Sequence, residues 1–280
     1  LRLNGQYLFQ DHNITFGYHL EELDVFNLFV QHSNGGEYDY FDDSGSNPDF
    51  CAALDAQGRF DNDECGTTGI DKFELGRPSR VYYGSGGGTN NPNDAAARYT
   101  NTLHSVFVQD DFPIGDDINV TVGLRYEWWE TDTAPTFNQA FFDANGFRND
   151  NTIDGTDLLM PRVGITWDFN EDLTLRGGFG LYSGGNPNVW LSNSFSNDGI
   201  SNAQFLFANF DGSATLLPGR PDSVALSRDG RPGFDVPQSL VDSVGAVTDA
   251  DANDSFLALV DPDYEQPGEW KLSVGGTYNW

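Results

Sequence analysis

The chain has 280 residues, and its 43 Asp and Glu residues outweigh 14 Lys and Arg residues to give a formal net charge of −29. This shortage of cations disfavours a nucleic-acid partner, because phosphate binding needs clustered Lys and Arg. No run of about eighteen apolar residues occurs, which excludes a transmembrane helix but not membrane-spanning strands, whose hydropathy signal is much weaker.

The chain begins with a predicted β-hairpin. Residues 1–10 and 13–30 each alternate apolar with polar residues, which is the period of a strand with two different faces. After Glu21 the alternation becomes irregular, which predicts a bulge or a change of exposure there. A long polar segment follows, in which we expect short strands around 37–41 and 80–83.

The clearest alternation lies between residues 101 and 184, where four segments form a predicted β-meander. One segment places Ile118, Val122 and Trp128 on one face and Thr121 on the other. A last strand before the end of the sequence makes seven long strands. The alternation lasts about nine to eleven residues, the length needed to cross a bilayer at a tilt of about 45°, whereas most strands are five or six residues long.

Connections between the strands are of two alternating kinds, short turns and long polar segments. Outer-membrane barrels have short periplasmic turns and long extracellular loops. The pattern therefore predicts an all-β fold, an antiparallel transmembrane β-barrel, with all long loops on one side. The short turns lie at 10–13, 115–117 and 170–172, and the long connections at 31–100, 131–157 and 185–266, the last with a pair of short strands expected around 203–210.

Aromatic residues cluster near the predicted strand ends. Outer-membrane barrels place such girdles at their two lipid interfaces. Packing inside a soluble sandwich is the alternative explanation. The residues near the short turns are Tyr7, Phe9, Phe112 and Phe169, and those near the long connections are Tyr126, Trp128, Trp129 and Tyr182.

The number of strands and the first residues indicate an internal piece of a longer chain. Bacterial barrels usually have an even number of strands from eight upward, and closure removes unpaired edges. The sequence has no initiating Met, and its first ten residues already have the pattern of a strand rather than a signal peptide. We therefore expect further strands outside these residues.

Two features of the polar segments concern cysteine and metal chemistry. Cys51 and Cys65, the only cysteines, lie in the first long connection, which favours a local disulfide worth roughly 3 kcal/mol, with two free thiols as the alternative. The acidic runs 61–64 and 249–254 offer oxygen ligands for incidental Ca²⁺ binding, although neither matches an EF-hand. We expect no dedicated metal site and no cofactor.

Catalytic motifs are missing from the sequence. It has no nucleophile elbow, P-loop or zinc-protease motif. The histidines, His12, His19, His32 and His104, are scattered without metal-ligand spacing. A glycosidase pair could lie among the many carboxylates, but the sequence cannot select it. We therefore expect no enzymatic function.

Several stretches resemble TonB-dependent outer-membrane receptors. SVFVQDDFPIGDDINVTVGLRYEWW at 105–129 is similar to their strand, turn, strand signature, and MPRVGITWDFNEDLTLRGGFGLYSG at 160–184 is similar to the following hairpin. The strand VFNLFVQ, the stretch NPNVWLSNSFSNDG and the return strand at 261–275 resemble the Oar-like branch. The resemblance covers most of the chain apart from the loop interiors.

The resemblance implies a roughly 22-stranded barrel in the bacterial cell outer membrane, surrounded by lipid. An amino-terminal plug of the same full-length chain would fill it, and a TonB-type energy transducer of the inner membrane would be its partner. Residues 1–280 would be part of this single barrel domain, without the plug and the remaining strands. The implied function is energy-coupled import or sensing of a nutrient too large for porins.

Two sets of residues are functional candidates. Aromatic residues of the outer loops would bind the substrate, because loops on a rigid scaffold carry recognition. Polar residues of the strands would form a lumen wall able to contact a plug. The ligand-binding candidates are Tyr38, Tyr40, Tyr82, Tyr83 and Trp190, and the lumen-wall candidates are Arg125, Glu127, Arg162, Thr166, Asp168 and Arg176.

Two other functions remain open at this stage. A secreted all-β carbohydrate-binding module or enzyme would pack its apolar faces sheet on sheet and would be soluble without detergent. A passive porin or adhesin barrel would share the fold but have neither plug nor energy-transducing partner.

Overall fold

The computed structural model describes residues 1–41, 70, 80–185, 187–208, 236, 238–252 and 257–280. The strands of these residues are β1 (Arg2–Phe9), β2 (His12–Asn27), β3 (Glu37–Asp39), β4 (Arg80–Gly86), β5 (Ala97–Ile114), β6 (Ile118–Thr131), β7 (Asp157–Asp168), β8 (Leu173–Ser183), β9 (Asn202–Ala208) and β10 (Gly268–Tyr278). The helices are α1 (Gln139–Asn145), α2 (Asn188–Ser196) and α3 (Gln238–Gly245), with 3₁₀ turns at Pro92–Ala95 and Asp249–Asp251.

The seven long strands form one antiparallel sheet in the order β1-β2-β5-β6-β7-β8-β10. This confirms the predicted all-β meander and its seven strands. Short turns join β1 to β2, β5 to β6 and β7 to β8, while long connections join the other neighbours. Within the described part of the chain, β1 and β10 each pair with one neighbour, so closure into a barrel stays a prediction, as does the assignment to a single domain.

The cross-strand register gives the sheet an apolar face and a polar face. Directly opposed residues of antiparallel strands point to the same side. The apolar face is defined by Val106, Val108, Val122, Leu124, Tyr126, Leu159, Val163, Ile165, Phe179, Leu272 and Val274 with their row partners, and the polar face by Gln109, Thr121, Gly123, Arg125, Glu127, Arg162, Thr166, Arg176, Lys271 and Ser273 with theirs.

Exposure of the two faces is the inverse of that in a water-soluble sheet. On β6, Val122 of the apolar face is 40 % exposed, whereas Glu127 of the polar face is only 6 % exposed. On β10 the exposed fraction reaches 84 % at Val274. No second sheet covers the apolar face within the described residues, so the sheet-on-sheet packing of a secreted sandwich is not observed. Such a large exposed apolar surface is suited to lipid rather than to water.

The apolar face ends at a defined level near the long connections. On β2 the apolar row passes Leu20 and continues with Glu22 and Asp24, and on β6 Trp128 is followed by Glu130. From Ile118 to Trp128 the apolar part of β6 extends roughly 25 Å at a tilt of about 40°. This height matches the apolar band of an outer-membrane barrel.

The irregular alternation after Glu21 has a simple structural cause. The register between β2 and β5 is continuous from Asn13 to Asn27, so no bulge interrupts it, and the predicted change of exposure is the correct alternative. Beyond the apolar band, acidic residues occupy the outer side of β2, while Val25 on the polar face packs against a hydrophobic cluster. Polarity therefore changes sides without a change of register.

This hydrophobic cluster covers the polar face at the long-connection end, and we call it the mouth core. It joins strand residues to residues of the second and third long connections. Trp129 belongs to it and is 1 % exposed, so its assignment to a lipid-facing girdle is wrong: it lies on the opposite face from Trp128. The girdle assignment of Tyr182 is also wrong, because the register places it on the polar face opposite Glu269. The buried residues of the mouth core are Ala97, Tyr99, Trp129, Ile153, Leu191, Phe195 and Val260.

A second sheet forms within the long connections, and we call it the loop sheet. Its strands are ordered β3-β4-β9, so the first and third connections pair with each other. The strands expected around 37–41 and 80–83 are confirmed, and only one strand, β9, forms where a pair was expected around 203–210 in the described residues.

Among the described residues, no helix has the length and apolar composition to span a membrane.

Candidate functional site

Two of the predicted ligand-binding tyrosines stabilise the loop sheet instead of standing free. Tyr38 and Tyr83 pack against a small cluster formed by Val81 of β4 and Leu240 of α3. The side chains of Val81 and Leu240 are 0 % and 1 % exposed, respectively, so this cluster is the core of the loop sheet. Burial against it leaves the two rings less surface for a ligand than their sequence positions suggest.

Tyr82 and Tyr40 are also partly buried. The Tyr82 ring stacks on His32 with 5.2 Å between ring centroids, and His32 Nδ1 lies 2.8 Å from a Glu37 carboxylate oxygen. Burial raises the pKa of the Tyr40 phenol, so this hydroxyl stays neutral at physiological pH. These side chains lie together around the loop sheet, apart from the helix that carries Trp190.

Helix α2 crosses the polar face of the main sheet and is anchored to two of its strands. The Tyr99 hydroxyl on β5 donates to the carbonyl oxygen of Asn188 over 2.9 Å, and Asn27 Nδ2 on β2 donates to Ser192 Oγ over 2.7 Å. Leu191 and Phe195 complete the contact by entering the mouth core. Hydrogen bonds therefore hold α2 at its first residue and at its centre, and apolar packing of Leu191 and Phe195 holds it between and beyond them.

Trp190 and Val189 lie on the free side of this anchored helix. The exposed fractions of their side chains are 71 % and 70 %, respectively, although their helical neighbour Leu191 is fully buried. An open groove of about 460 Å³ lies beside them, and we call it the Trp190 groove. Its lining residues are Gly184, Gly185, Pro187, Val189, Trp190 and Pro267.

A smaller, more enclosed cavity of about 150 Å³ adjoins the Trp190 groove, and we call it the inner cavity. The two share Pro187 and Trp190, so these two residues contribute to both spaces. The lining residues of the inner cavity are Ile153, Pro187, Trp190, Leu191, Leu259, Val260, Asp261 and Tyr264. Apolar side chains with a few polar groups are typical of small-molecule sites.

Polar groups of the inner cavity come from one short segment of the third connection. Asp261 Oδ1 accepts the backbone N–H of Asp263 over 2.8 Å, and no cation pairs with Asp261 in the part of the chain that the structure describes. Burial raises the pKa of the Tyr264 phenol, which keeps that hydroxyl protonated. Gln266 donates to Thr156 Oγ1 over 2.9 Å and so ties the segment to the second connection.

A buried polar cluster joins the second and third connections above the sheet. Asn138 caps α1 through its Oδ1, which accepts the Phe141 N–H over 2.9 Å, and its Nδ2 donates to the Asp198 carbonyl over 3.0 Å. Asn149 Oδ1 accepts the Asn138 N–H over 2.8 Å. Because Asn138, Asn149 and Asp198 are fully buried, losing one partner would leave a costly unpaired group. These bonds fix the frame around the two cavities.

The predicted lumen-wall residues all lie on the polar face, although Arg125 is directly opposite Phe107 and Met160, and Glu127 is opposite Leu158. Arg125 Nε donates to Glu127 over 2.7 Å, and the Thr174 hydroxyl donates to Asp168 over 2.7 Å. Arg176 Nη1 donates to the Thr277 hydroxyl over 2.9 Å. Thr166 is opposite Arg176 in the register. Their contact with a plug stays a prediction.

Arg162 lies flat along the polar face because glycines flank it. Its row of the sheet runs Gln109, Gly123, Arg162 and Gly180, and Arg162 Nη2 crosses β6 to donate to Gln109 Oε1 over 2.7 Å. A Cβ added at Gly123 would lie 2.8 Å from Arg162 Nε. Because Gly123 and Gly180 have no side chains, the Arg162 side chain can lie against the sheet backbone instead of projecting from the polar face.

The structure describes only some of the residues named in the metal and cysteine predictions. Cys51, Cys65 and the acidic run 61–64 lie outside the described residues. In the run 249–254, Asp251 caps a 3₁₀ turn by accepting from Thr248 N and Oγ1 over 3.0 and 2.8 Å, and these bonds lower its pKa. Within the described ranges, no group of three or more His, Cys, Asp or Glu side chains is arranged to hold a metal ion.

Sequence reasoning selected Trp190 but missed the residues around it. Leu259, Val260, Asp261 and Tyr264 come together with Ile153 of another connection only through tertiary packing. The one local signal was that the stretch NPNVWLSNSFSNDG and the return strand at 261–275, which includes Asp261 and Tyr264, resemble parts of the receptor family named above.

Comparison with known proteins adds one finding. A family model described as "Outer membrane beta barrel domain" matches residues 3–274. No curated protein and no solved structure matches the chain.

Proposed function

Since this chain belongs to the outer-membrane β-barrel domain family and lies in the bacterial outer membrane, we propose that it forms part of the barrel of a TonB-dependent transporter. Its long connections would face the cell exterior and bind a nutrient. A plug inside the barrel would then pass the nutrient inward, driven by an inner-membrane energy transducer. The proposal includes no covalent chemistry.

The observation that carries this proposal is the organised mouth. In the described residues, the loop sheet joins the first long connection to the third, and the mouth core and the Asn138 cluster join the second to the third. A mouth of this kind favours capture of a ligand over free diffusion through an open pore. The exposed Trp190 beside two cavities offers the capture surface.

Two further features support the transporter. The stretches 105–129 and 160–184 resemble the signatures of TonB-dependent receptors, and they form β5 to β8. The polar face carries arginines, carboxylates, threonines and glycines, a surface that suits a protein plug held by many weak polar contacts. Further strands would pair with the free edges of β1 and β10.

Binding of the energy transducer tests the proposal directly. The complete gene product would be placed in outer-membrane vesicles and mixed with the purified periplasmic domain of the host TonB-type protein. We expect saturable binding, which is lost when the periplasmic contact segment that precedes the plug is deleted. Folding of both forms is checked by heat-modifiable gel mobility. Equal, non-saturable retention by both forms would contradict the proposal.

Electrical conductance separates the transporter from a passive porin. We expect no steady conductance from the complete protein in planar bilayers, because both the plug and the folded loops would obstruct the lumen. Steady, ligand-independent channel openings from the complete protein would favour the porin.

A further inference from the structure

The inner cavity and the Trp190 groove together define a ligand of narrow chemical class. We propose that they bind an aryl-alkylammonium compound, with one aromatic ring in the inner cavity and the ammonium group near Asp261 and the Trp190 ring. The inference rests on the proposed role of the outer loops in ligand capture, and it adds the size and charge of what they capture.

Size is set by the inner cavity. Its volume of about 150 Å³ equals that of cavities known to accept a single benzene ring. Most of its lining is apolar, with Leu191, Leu259 and Val260 among the contributors. Burial of one ring there would remove apolar surface from water, whereas a two-ring system would have to extend into the wider groove.

Charge is set by the third connection, residues 185–266, in which twelve Asp and Glu residues outweigh three arginines, Arg220, Arg228 and Arg231. It contains no Lys or Arg within 187–208, 238–252 and 257–267, and its carboxylates in these ranges are Asp198, Asp242, Asp249, Asp251, Asp261, Asp263 and Glu265. Such a surface attracts cations and repels anions. The net charge of −29 for the whole chain acts in the same direction at longer range.

Position of the ammonium group follows from two groups of the site. Asp261 lines the cavity, uses one carboxylate oxygen to cap its own turn, and has no cationic partner among the described residues. Trp190 lines both spaces, and the face of an indole is the best aromatic partner for a cation. Because Asp261 and Trp190 line the same inner cavity, the proposal places the ammonium group beside these two residues.

The rigid frame around the site lowers the entropic cost of binding. Helix α2 is held by the Tyr99 and Asn27 hydrogen bonds, and the Ala258 N–H donates to the Asn197 carbonyl over 3.0 Å. The Gly184 N–H donates to the Pro267 carbonyl over 2.7 Å across the groove. Because these bonds exist without a ligand, little ordering has to accompany binding.

Three isosteric probes test size and charge separately: 2-phenylethylammonium, neutral 2-phenylethanol and anionic phenylacetate. Each is titrated at pH 7 into the complete protein in lipid nanodiscs, and binding is followed by saturation-transfer NMR. We expect the ammonium compound to bind about tenfold more tightly than the alcohol, with phenylacetate weakest. Phenylacetate binding as tightly as the ammonium compound, or no binding of any probe to the folded protein, would overturn the proposal.

Variants assign the effect to the site. Trp190→Ala should weaken the ammonium probe by about tenfold, and because the side chain is exposed, the fold should survive. Asp261→Asn should reduce the preference for the ammonium probe over the alcohol without abolishing it, because Trp190 remains. Phe205→Ala is the matched control, an exposed aromatic residue of the same connection on β9 outside both cavities. Unchanged binding by Trp190→Ala, or an equal loss in Phe205→Ala, would refute the site.

This binding assay needs no energy transducer, so the two proposals can fail separately. Probe binding without TonB-type binding would leave the site and remove the transporter. TonB-type binding without probe binding would leave the transporter and remove the ligand class.

Discussion

Trp128 and Trp129 are adjacent on β6 and face entirely different surroundings. Trp128 lies at the edge of the apolar face, where its ring stacks on His104 with 4.8 Å between centroids. Trp129 points to the polar face and is buried in the mouth core under α2 and the second connection. The comparison of the two residues shows that the apolar side of this sheet meets the surroundings, whereas the polar side is covered by protein at its long-connection end.

Removing the two tryptophans should have unequal costs, and this is the largest effect we expect. Trp129→Ala would leave a cavity among Tyr99, Leu191 and Phe195 and should lower the free energy of unfolding by about 3–5 kcal/mol. Trp128→Ala loses mainly a ring stack and should cost about 1 kcal/mol. Urea unfolding of both variants in lipid vesicles measures the difference, and equal costs would remove the distinction between the faces.

A charge placed on each face gives the next largest contrast. Val122→Arg or Ile165→Arg puts a cation on the apolar face near the middle of the band and should cost about 2–4 kcal/mol. Thr121→Arg or Thr166→Arg on the other face should cost less than about 1 kcal/mol, because the polar face has water and carboxylates such as Asp111, which accepts from the Thr121 hydroxyl. The same unfolding assay measures these costs. A larger cost for the two threonine variants than for Val122→Arg and Ile165→Arg would contradict the assignment of the apolar face to lipid.

A glycine substitution tests the arrangement within the polar face. Gly123→Ala places a methyl group against Arg162 and should break its bond to Gln109, at a cost of about 1 kcal/mol. Gly164→Ala is the matched control, because an added Cβ there meets its nearest neighbour, Thr121, at an ordinary 3.7 Å. If both variants unfold at the same denaturant concentration, the hydrogen bond from Arg162 to Gln109 does not contribute to the stability of the fold.

The smallest expected effect lies beyond the apolar band, where Asp132 ties the outer end of β6 to β5. Its carboxylate accepts from the Thr100 N–H over 2.8 Å and from the Thr133 hydroxyl over 2.9 Å, and these bonds lower its pKa. A lowered pKa in the folded state stabilises it above the ordinary aspartate pKa of about 3.9, and this contribution is lost as pH falls through the lowered value.

Asp132→Asn should therefore be less stable than the parent protein at neutral pH. The difference should shrink as the pH falls into the acidic range, where the carboxylate of the parent is protonated. Unfolding midpoints across that range measure it. A difference that stays constant with pH would show that the charge of Asp132 has no part in the tie.

Local pattern was sufficient to predict the long strands but not what covers them. Alternation placed β5 to β8 and their short turns because side-chain direction in a strand follows from the backbone alone. Trp129 was assigned to lipid because the aromatic residues near the strand end were grouped together, although alternation alone puts it on the opposite face from Trp128. The change of exposure after Glu21 likewise has a tertiary cause, because Val25 is apolar where it packs against the mouth core.

The loop architecture had no local signal of comparable strength. The pairing of β4 with β9 joins segments far apart in the chain, and the sequence of each fits a strand without naming its partner. Helix α2 contains Asn and Ser residues of low helix propensity, so burial of Leu191 and Phe195 decides its conformation. Trp190 was a correct choice of exposed aromatic residue, but Asp261 reaches it only through the fold.

Accessibility along β6 tests the central claim most directly. Single cysteines at positions 118 to 128, in a protein whose Cys51 and Cys65 are replaced by serine, would carry nitroxide labels in lipid bilayers. We expect labels at Val120, Val122 and Leu124 to be relaxed by oxygen, which partitions into lipid, and the label at Thr121 to be relaxed by a water-soluble nickel complex. Labels with no alternation, or with the opposite phase, would contradict a sheet whose apolar face meets the membrane.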